Sequence, residues 1–291
     1  MELNYSVVHT PPRAAASVVM LRDGPAGLEV FLVQRHGASE VLGGAYVFPG
    51  GKLDEADAAP ALLARLDQPL HQLHAALGEP DTAVDTAAAL HVAALREVFE
   101  ESGVLFARPG TVAEVSNAAA LLKEGIGFDA ALVRLGLRLH TGAVLPWSRW
   151  ITPTSPSVMN KRFDTRFFVA AVPEGQEARH DDHEAIASVW LPPRAALEQY
   201  WDGRIDLAPP QIMSLAHLAR HASVDAVFTE AHGRRPPVVQ PEPFDDEGTR
   251  TICYPGDVRH SVAERALPGP TRLRFRNKRF EPVDGFEALF T

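Results

Sequence analysis

A single cysteine, Cys253, stands among 291 residues. That excludes an intrachain disulfide framework and any multi-cysteine zinc site, and it suits a reducing compartment. No apolar run approaches the roughly 18 residues that a membrane-spanning helix requires. The opening MELNYSVVHTPPRAAASVVM has no basic stretch ahead of a continuous apolar one, so no signal peptide is expected. The closing LFT is not a peroxisomal address. Positive charge is also scarce: 28 Lys and Arg against 37 Asp and Glu leave a formal charge of −9. Nucleic-acid binding by phosphate neutralisation is therefore not expected. An anionic small molecule stays within reach, because a divalent cation on the carboxylates reverses the local field. No G-x-G-x-x-G or G-x-x-x-x-G-K-[ST] stands where a dinucleotide or P-loop site needs one. The expectation is a soluble cytoplasmic protein with neither nucleic acid nor membrane as partner.

Hydrophobic residues make up 46% and charged residues 22%, enough apolar surface for a core, and the length suggests one or two domains. Ala14 to Met20 and Leu28 to Arg35 read as a strand pair joined across Asp23-Gly24-Pro25. A short aromatic strand, Ala45 to Phe48, runs into Pro49-Gly50-Gly51, where the backbone turns or passes close to something. Residues 58–84 predict one or two short helices. From 87 to 102 the spacing predicts a strong helix, capped by Asp85 or Thr86 and stopped by Gly103, with a strand at Val104 to Phe106 behind it. Two helices are expected within 111–136, and strands at 147–153, 163–173 and 187–191. Proline pairs open two further helices, at Pro192-Pro193 and Pro209-Pro210. A Pro-rich linker from Arg234 leads to short strands in the tail. The irregular order argues for a mixed α/β protein rather than a doubly wound sheet.

Chemistry concentrates in Arg96-Glu97-Val98-Phe99-Glu100-Glu101-Ser102-Gly103-Val104. On a helix Glu97, Glu100 and Glu101 fall at i, i+3 and i+4, so three carboxylates share one face, at a helix end whose dipole prefers cations. A divalent metal relieves both penalties, and oxygen-only ligands suit Mg²⁺ or Mn²⁺ rather than zinc. Arg96, one turn before Glu100, is placed to pair with it. Without a metal the same acids would simply be a solvated face.

These residues resemble the box of the Nudix hydrolases, G-x5-E-x7-R-E-U-x-E-E-x-G-U with U aliphatic. Its second half is matched in full, and its first half corresponds to Gly51-(KLDEA)-Asp57, preceded by Phe48-Pro49-Gly50. Asp57 stands where the box has Glu. The 38 residues from 58 to 95 stand where it has seven, an insertion of 31. Such an insertion, with VFPGG-x-L-D and RFDTRFF, is similar to the nucleoside diphosphate-linked moiety X motif 19, or coenzyme A diphosphatase, branch of the family. The resemblance implies a Nudix α/β/α sandwich with a mixed sheet over residues 12–222, a helical insertion at about 58–88, and a C-terminal extension (223–291) of unknown role. It implies that Glu97, Glu100, Glu101 and Gly51 hold Mg²⁺ or Mn²⁺ and that Arg96 belongs to the catalytic machinery. A further carboxylate serving as base or extra ligand is best matched by Glu184, with Asp181 and Asp182 weaker.

The implied substrate is a small-molecule nucleoside diphosphate derivative, cut at its diphosphate, and the family habit makes a homodimer possible. Arg35, Lys161 and Arg162 are candidate phosphate contacts, though each equally reads as a surface cation. Phe48 and Phe163, with Tyr46 and Trp150, are candidates to stack a base, or else core aromatics. His180 and His183, and His71 and His74, read as ordinary loop and helix histidines. The branch favours coenzyme A or an acyl-CoA, giving 3′,5′-ADP and phosphopantetheine species. The family's coenzyme A signature, however, has a second arginine where Glu40 stands. ADP-ribose, NADH or another nucleotide derivative is therefore the alternative. A non-catalytic binding module is a second one, which three uncompensated acids argue against.

Overall fold

The computed structural model describes residues 3–39, 42–181 and 185–291. Strands β1 (Arg13–Gly24) and β2 (Gly27–Arg35) form an antiparallel hairpin closed between Gly24 and Gly27. β3 (Tyr46–Val47) and β4 (Gly50–Lys52) follow, then α1 (Pro60–Leu63), α2 (Leu70–Leu77) and the long α3 (Val84–Ser102). β5 (Ala107–Arg108), α4 (Val112–Lys123), α5 (Phe128–Leu135) and β6 (Arg138–Leu139) lead to β7 (Leu145–Ile151), β8 (Phe163–Ala171) and β9 (Ala185–Leu191). Helices α6 (Pro193–Trp201), α7 (Pro209–Leu218) and α8 (Val224–Gly233) precede β10 (Val238–Val239) and an antiparallel meander of β11 (Glu242–Asp246), β12 (Thr249–Cys253), β13 (Arg272–Arg276) and β14 (Arg279–Pro282).

The main sheet is mixed, in the order β10-β7-β8-β1-β2-β3, with β4 also paired to β1 and β9 to β2. β1 lies parallel to β8 and antiparallel to β2 and β4. Side chains on a strand alternate between its faces, and β1 and β2 do so while buried on both sides. Val18, Met20, Phe31 and Val33 join a cluster with α3, whereas Val19, Leu21, Val30 and Leu32 join one with α6 and α7. Helices thus cover both faces, as an α/β/α sandwich requires.

Most of α3 is inaccessible because it is clamped between the sheet and the insertion. Its N-cap is Ala83, not Asp85 or Thr86, so the insertion runs into the box helix without a break. Gly103 ends it at φ 71°, as the sequence predicts. Val104 to Phe106 are buried but form no strand; pairing begins only at Ala107. The insertion is fastened to the sheet by charge. Arg166 of β8 donates to Glu79 through Nε (3.0 Å) and Nη2 (2.6 Å), Arg149 of β7 approaches Glu79 at 3.1 Å, and both arginines reach Asp164.

The residues beyond 222 share the second cluster: Val224, Val227, Val239, Ile252, Tyr254, Leu273 and Phe280 pack in it with Val19 and Trp147. α8 is absent from the sequence-based expectation, although Ser223 caps it through the Ala226 amide.

Candidate active site

β4 brings Gly50 and Gly51 alongside Ser17 and Ala16 of β1. Both glycines are dictated by close approach rather than by a turn. A Cβ on Gly50 would meet the Ala16 carbonyl, and one on Gly51 would fall on the Glu97 carboxyl group. The last turns of α3 lie directly against this segment. Glu101 is buried, and its Oε2 accepts from the Gly50 amide at 3.0 Å. The carboxylate face of the helix and the glycine loop therefore meet at Glu97 and Glu101.

Arg96 organises the acids. Its Nε and Nη2 donate to the two oxygens of Asp57 (2.8 and 3.0 Å), Nη2 also donates to the Lys52 carbonyl, and Nη1 donates to Glu97 (2.8 Å) and Glu100 (2.9 Å). Asp57 is almost wholly buried, and its Oδ2 accepts from the Asp54 amide as well. Its short side chain thus serves as an anchor for the arginine fork. Burial works against the Arg96 charge, but Asp57, Glu97 and Glu100 together raise its pKa. Glu100 shifts upward: burial outweighs the attraction of Arg96, and the nearby Asp57 and Asp54 add to the rise. One arginine thus faces more carboxylates than it neutralises. The remaining donors are carboxylate and backbone carbonyl oxygens without nitrogen or sulfur, which fits a hard divalent cation.

A cavity of about 630 Å³ opens beside Gly50, Gly51 and Glu97. Arg35, Phe48, Lys161 and Phe163 line it, as does Trp150. Arg35 Nε is buried without a hydrogen bond. Phe48 is a core aromatic at the same time, edge-on to Phe167 at 6.3 Å. Arg162 is not among the lining residues. Its Nε donates to the Thr152 carbonyl and its Nη1 to that of Thr10, so it fastens a loop instead of facing the cavity. Tyr46 likewise packs on the second apolar cluster.

The amides of Arg179 and Asp181 donate to the Ser102 and Glu101 carbonyls, satisfying the end of α3 and bringing that loop to the site. Glu184, Asp182 and His183 lie outside the described residues. His180 Nδ1 contacts Ser188 Oγ at 2.9 Å, and His74 Nε2 contacts the Glu79 carbonyl at 3.1 Å. Sequence reasoning missed Arg13 and Lys52, which also line the cavity, and the contribution of Pro241 and Ile252 from beyond residue 222. Lys52 directly follows Gly50-Gly51 and was readable as a cation beside the glycine loop; nothing local in Arg13, Pro241 or Ile252 marks them.

A mixed sheet sandwiched by helices, with a carboxylate-bearing helix end against a glycine loop, defines a Nudix hydrolase domain. The chain belongs to the family described as the NUDT19 Nudix domain, which matches residues 12–218. Human acyl-coenzyme A diphosphatase NUDT19 is 30% identical over 251 residues, covering 73% of this chain and 66% of the relative. The Gallus gallus protein of the same name is 30% identical over 241 residues, covering 69% and 64%. Putative nudix hydrolase 7 of Caenorhabditis elegans is 25% identical over 262 residues, covering 89% and 78%. The chain spans just under two thirds of the length of the vertebrate relatives. Among solved structures, a NUDIX hydrolase from Alicyclobacillus acidocaldarius superposes with a TM-score of 0.61 at 29% identity, over 79% of this chain and 99% of that one. Among the described residues no helix is long and apolar enough to cross a membrane.

Proposed function

We propose that the chain hydrolyses a diphosphate linkage in a nucleoside-diphosphate-X substrate, with Mg²⁺ or Mn²⁺ held by Glu97, Glu100 and Glu101 and the Gly51 carbonyl. The favoured substrate is coenzyme A or an acyl-CoA, with 3′,5′-ADP and a phosphopantetheine species as products. The observation that carries the reading is the surplus of carboxylates over Arg96 at the mouth of a cavity rich in cations. The substrate class is supported by the acyl-coenzyme A diphosphatases among the relatives.

When bound, a divalent ion supplies charge neutralisation at the diphosphate and a water acidic enough to attack phosphorus. The chain's own residues do the positioning. Arg96, locked from behind by Asp57, fixes the rotamers of Glu100 and of Glu97, which lines the pocket. Glu101 ties down the Gly50 amide, which keeps the glycine loop within reach of Glu97. Arg35 and Lys161 present positive charge to the phosphate oxygens. Phe48, Phe163 and Trp150 form an apolar wall for the rest of the substrate. Glu184 is the proposed base or additional ligand.

The test is product release from coenzyme A, acyl-CoAs, ADP-ribose and NADH, with and without Mg²⁺ or Mn²⁺. Metal-dependent formation of 3′,5′-ADP from coenzyme A species is expected. Turnover of ADP-ribose or NADH alone would keep the chemistry and overturn the substrate. No turnover of any of them with either metal would overturn the hydrolase reading.

A further inference from the structure

On the face of the sheet opposite the box, two histidines one helical turn apart close the end of α7: His217 lies in its last turn and His221 just beyond it. Glu230 of α8 faces both. His217 Nε2 lies 2.8 Å from Glu230 Oε1, and His221 Nε2 lies 2.9 Å from Glu230 Oε2. Ligand atoms from all three residues sit within 4.8 Å of one another, and this is the sole trio of His, Cys, Asp or Glu among the described residues that converges so closely. Nothing in the proposed hydrolysis uses it.

Two features separate the trio from an ordinary buried ion pair. His221 Nε2 is inaccessible and makes no hydrogen bond, despite its short distance to the carboxylate. Arg234 donates from Nε to Glu230 Oε1 at 2.6 Å while its guanidinium rests on the Trp147 ring. It therefore orients the carboxylate as outer partners of metal ligands do, and leaves the second oxygen for a cation.

We infer that His217, His221 and Glu230 form a binding site for a divalent cation of the Zn²⁺ class, separate from the box. Two imidazoles and one carboxylate are the donor set zinc accepts, whereas Mg²⁺ prefers oxygen alone. Ligand atoms around a tetrahedral zinc stand about 3.3 Å apart, a spacing that falls within the 4.8 Å over which the three residues' ligand atoms already converge. A cavity of about 750 Å³ that His217, Glu230, Arg234 and Leu267 help to line adjoins the trio. The ion would clip the end of α7 to α8, where the chain leaves the helical layer for the meander.

The test uses the full chain carrying Glu100→Gln, in excess Mg²⁺ so that the box does not report zinc. Zn²⁺ is titrated against a chromophoric chelator, and bound zinc is counted by atomic emission. One Zn²⁺ per chain is expected, with a rise in Tm that a chelator reverses. His221→Ala should weaken binding at least tenfold and abolish the Tm shift. If that variant does not fold, His221→Asn, which keeps much of the volume, is read in the same way. Absence of zinc above the chelator blank would overturn the site, and so would His221 variants that bind zinc as the parent does. The measurement is independent of turnover, so it stands or falls apart from the hydrolase reading.

Discussion

Two arginine–carboxylate clusters sit within one domain and are built on opposite principles. In the first, Arg149 and Arg166 meet Glu79 and Asp164, two positive groups against two negative ones, and Glu79 and Arg166 are buried. In the second, Arg96 alone meets Asp57, Glu97 and Glu100, with Asp54 3.8 Å away, and Glu100 is more than a third exposed. The balanced cluster is complete in itself and fastens the insertion to the sheet. The unbalanced one gathers three carboxylates on one guanidinium beside a cavity that Glu97 helps to line. The same side chains therefore do structural or chemical work according to their stoichiometry and their access to solvent.

Breaking the balanced cluster should cost the most. Arg166→Met leaves Glu79 with only the half-buried Arg149 at 3.1 Å and the Thr82 hydroxyl at 2.9 Å, and losing half of a buried pair costs about 3–5 kcal/mol. Urea denaturation should show it; a loss below about 1 kcal/mol would place this cluster with the solvated ones. Acid should act next, through His91 on the buried part of α3. Burial lowers this imidazole from 6.5 to about 4. Between those values the unfolded chain binds more protons, so the stability that neutral His91 contributes is complete above about pH 6.5. It falls as the pH drops towards 4, by up to roughly 3 kcal/mol. His217 shifts the same way. His91→Gln should flatten the slope of unfolding free energy between pH 7 and 5, and an unaltered slope would reject the assignment.

The unbalanced cluster should respond in the opposite sense. Glu100→Gln is expected to lower kcat/KM about 100-fold while moving stability by less than about 0.5 kcal/mol. A large loss of stability without loss of turnover would reverse the comparison. Arg179→Ala sets the baseline, because Arg179 and Glu177 are 76% and 71% exposed and the pair is worth less than about 0.5 kcal/mol. Thermal unfolding of that variant should coincide with the parent's.

The strand pair β1 and β2, the Gly103 stop and the proline-opened helices were legible because each rests on local pattern. So was the carboxylate face of α3, which needs only helical spacing. The strand expected at Val104 to Phe106 failed because its apolar run is buried without an extended partner. β4 escaped notice because Gly50-Gly51-Lys52 has almost no side chains to show a period. α8 was readable from Ser223 and the apolar residues at Val224, Val227 and Phe228, but its short apolar stripe runs directly into a proline-rich segment that masks the helical period. Pairings such as Glu79 with Arg166, 87 residues apart, leave no local trace at all. Arg162 shows the converse: a cation next to the site by sequence whose donors are taken by backbone carbonyls.

Pro241 and Ile252 reach the wall of the same cavity that Gly51 and Glu97 open. The final quarter of the chain is therefore masonry rather than appendage. A protein shortened at residue 222 would keep every residue of the box and lose part of the cavity proposed to hold the substrate. Selection for a longer or bulkier substrate has a place to act there, in a stretch of sequence that a search for box residues never reads.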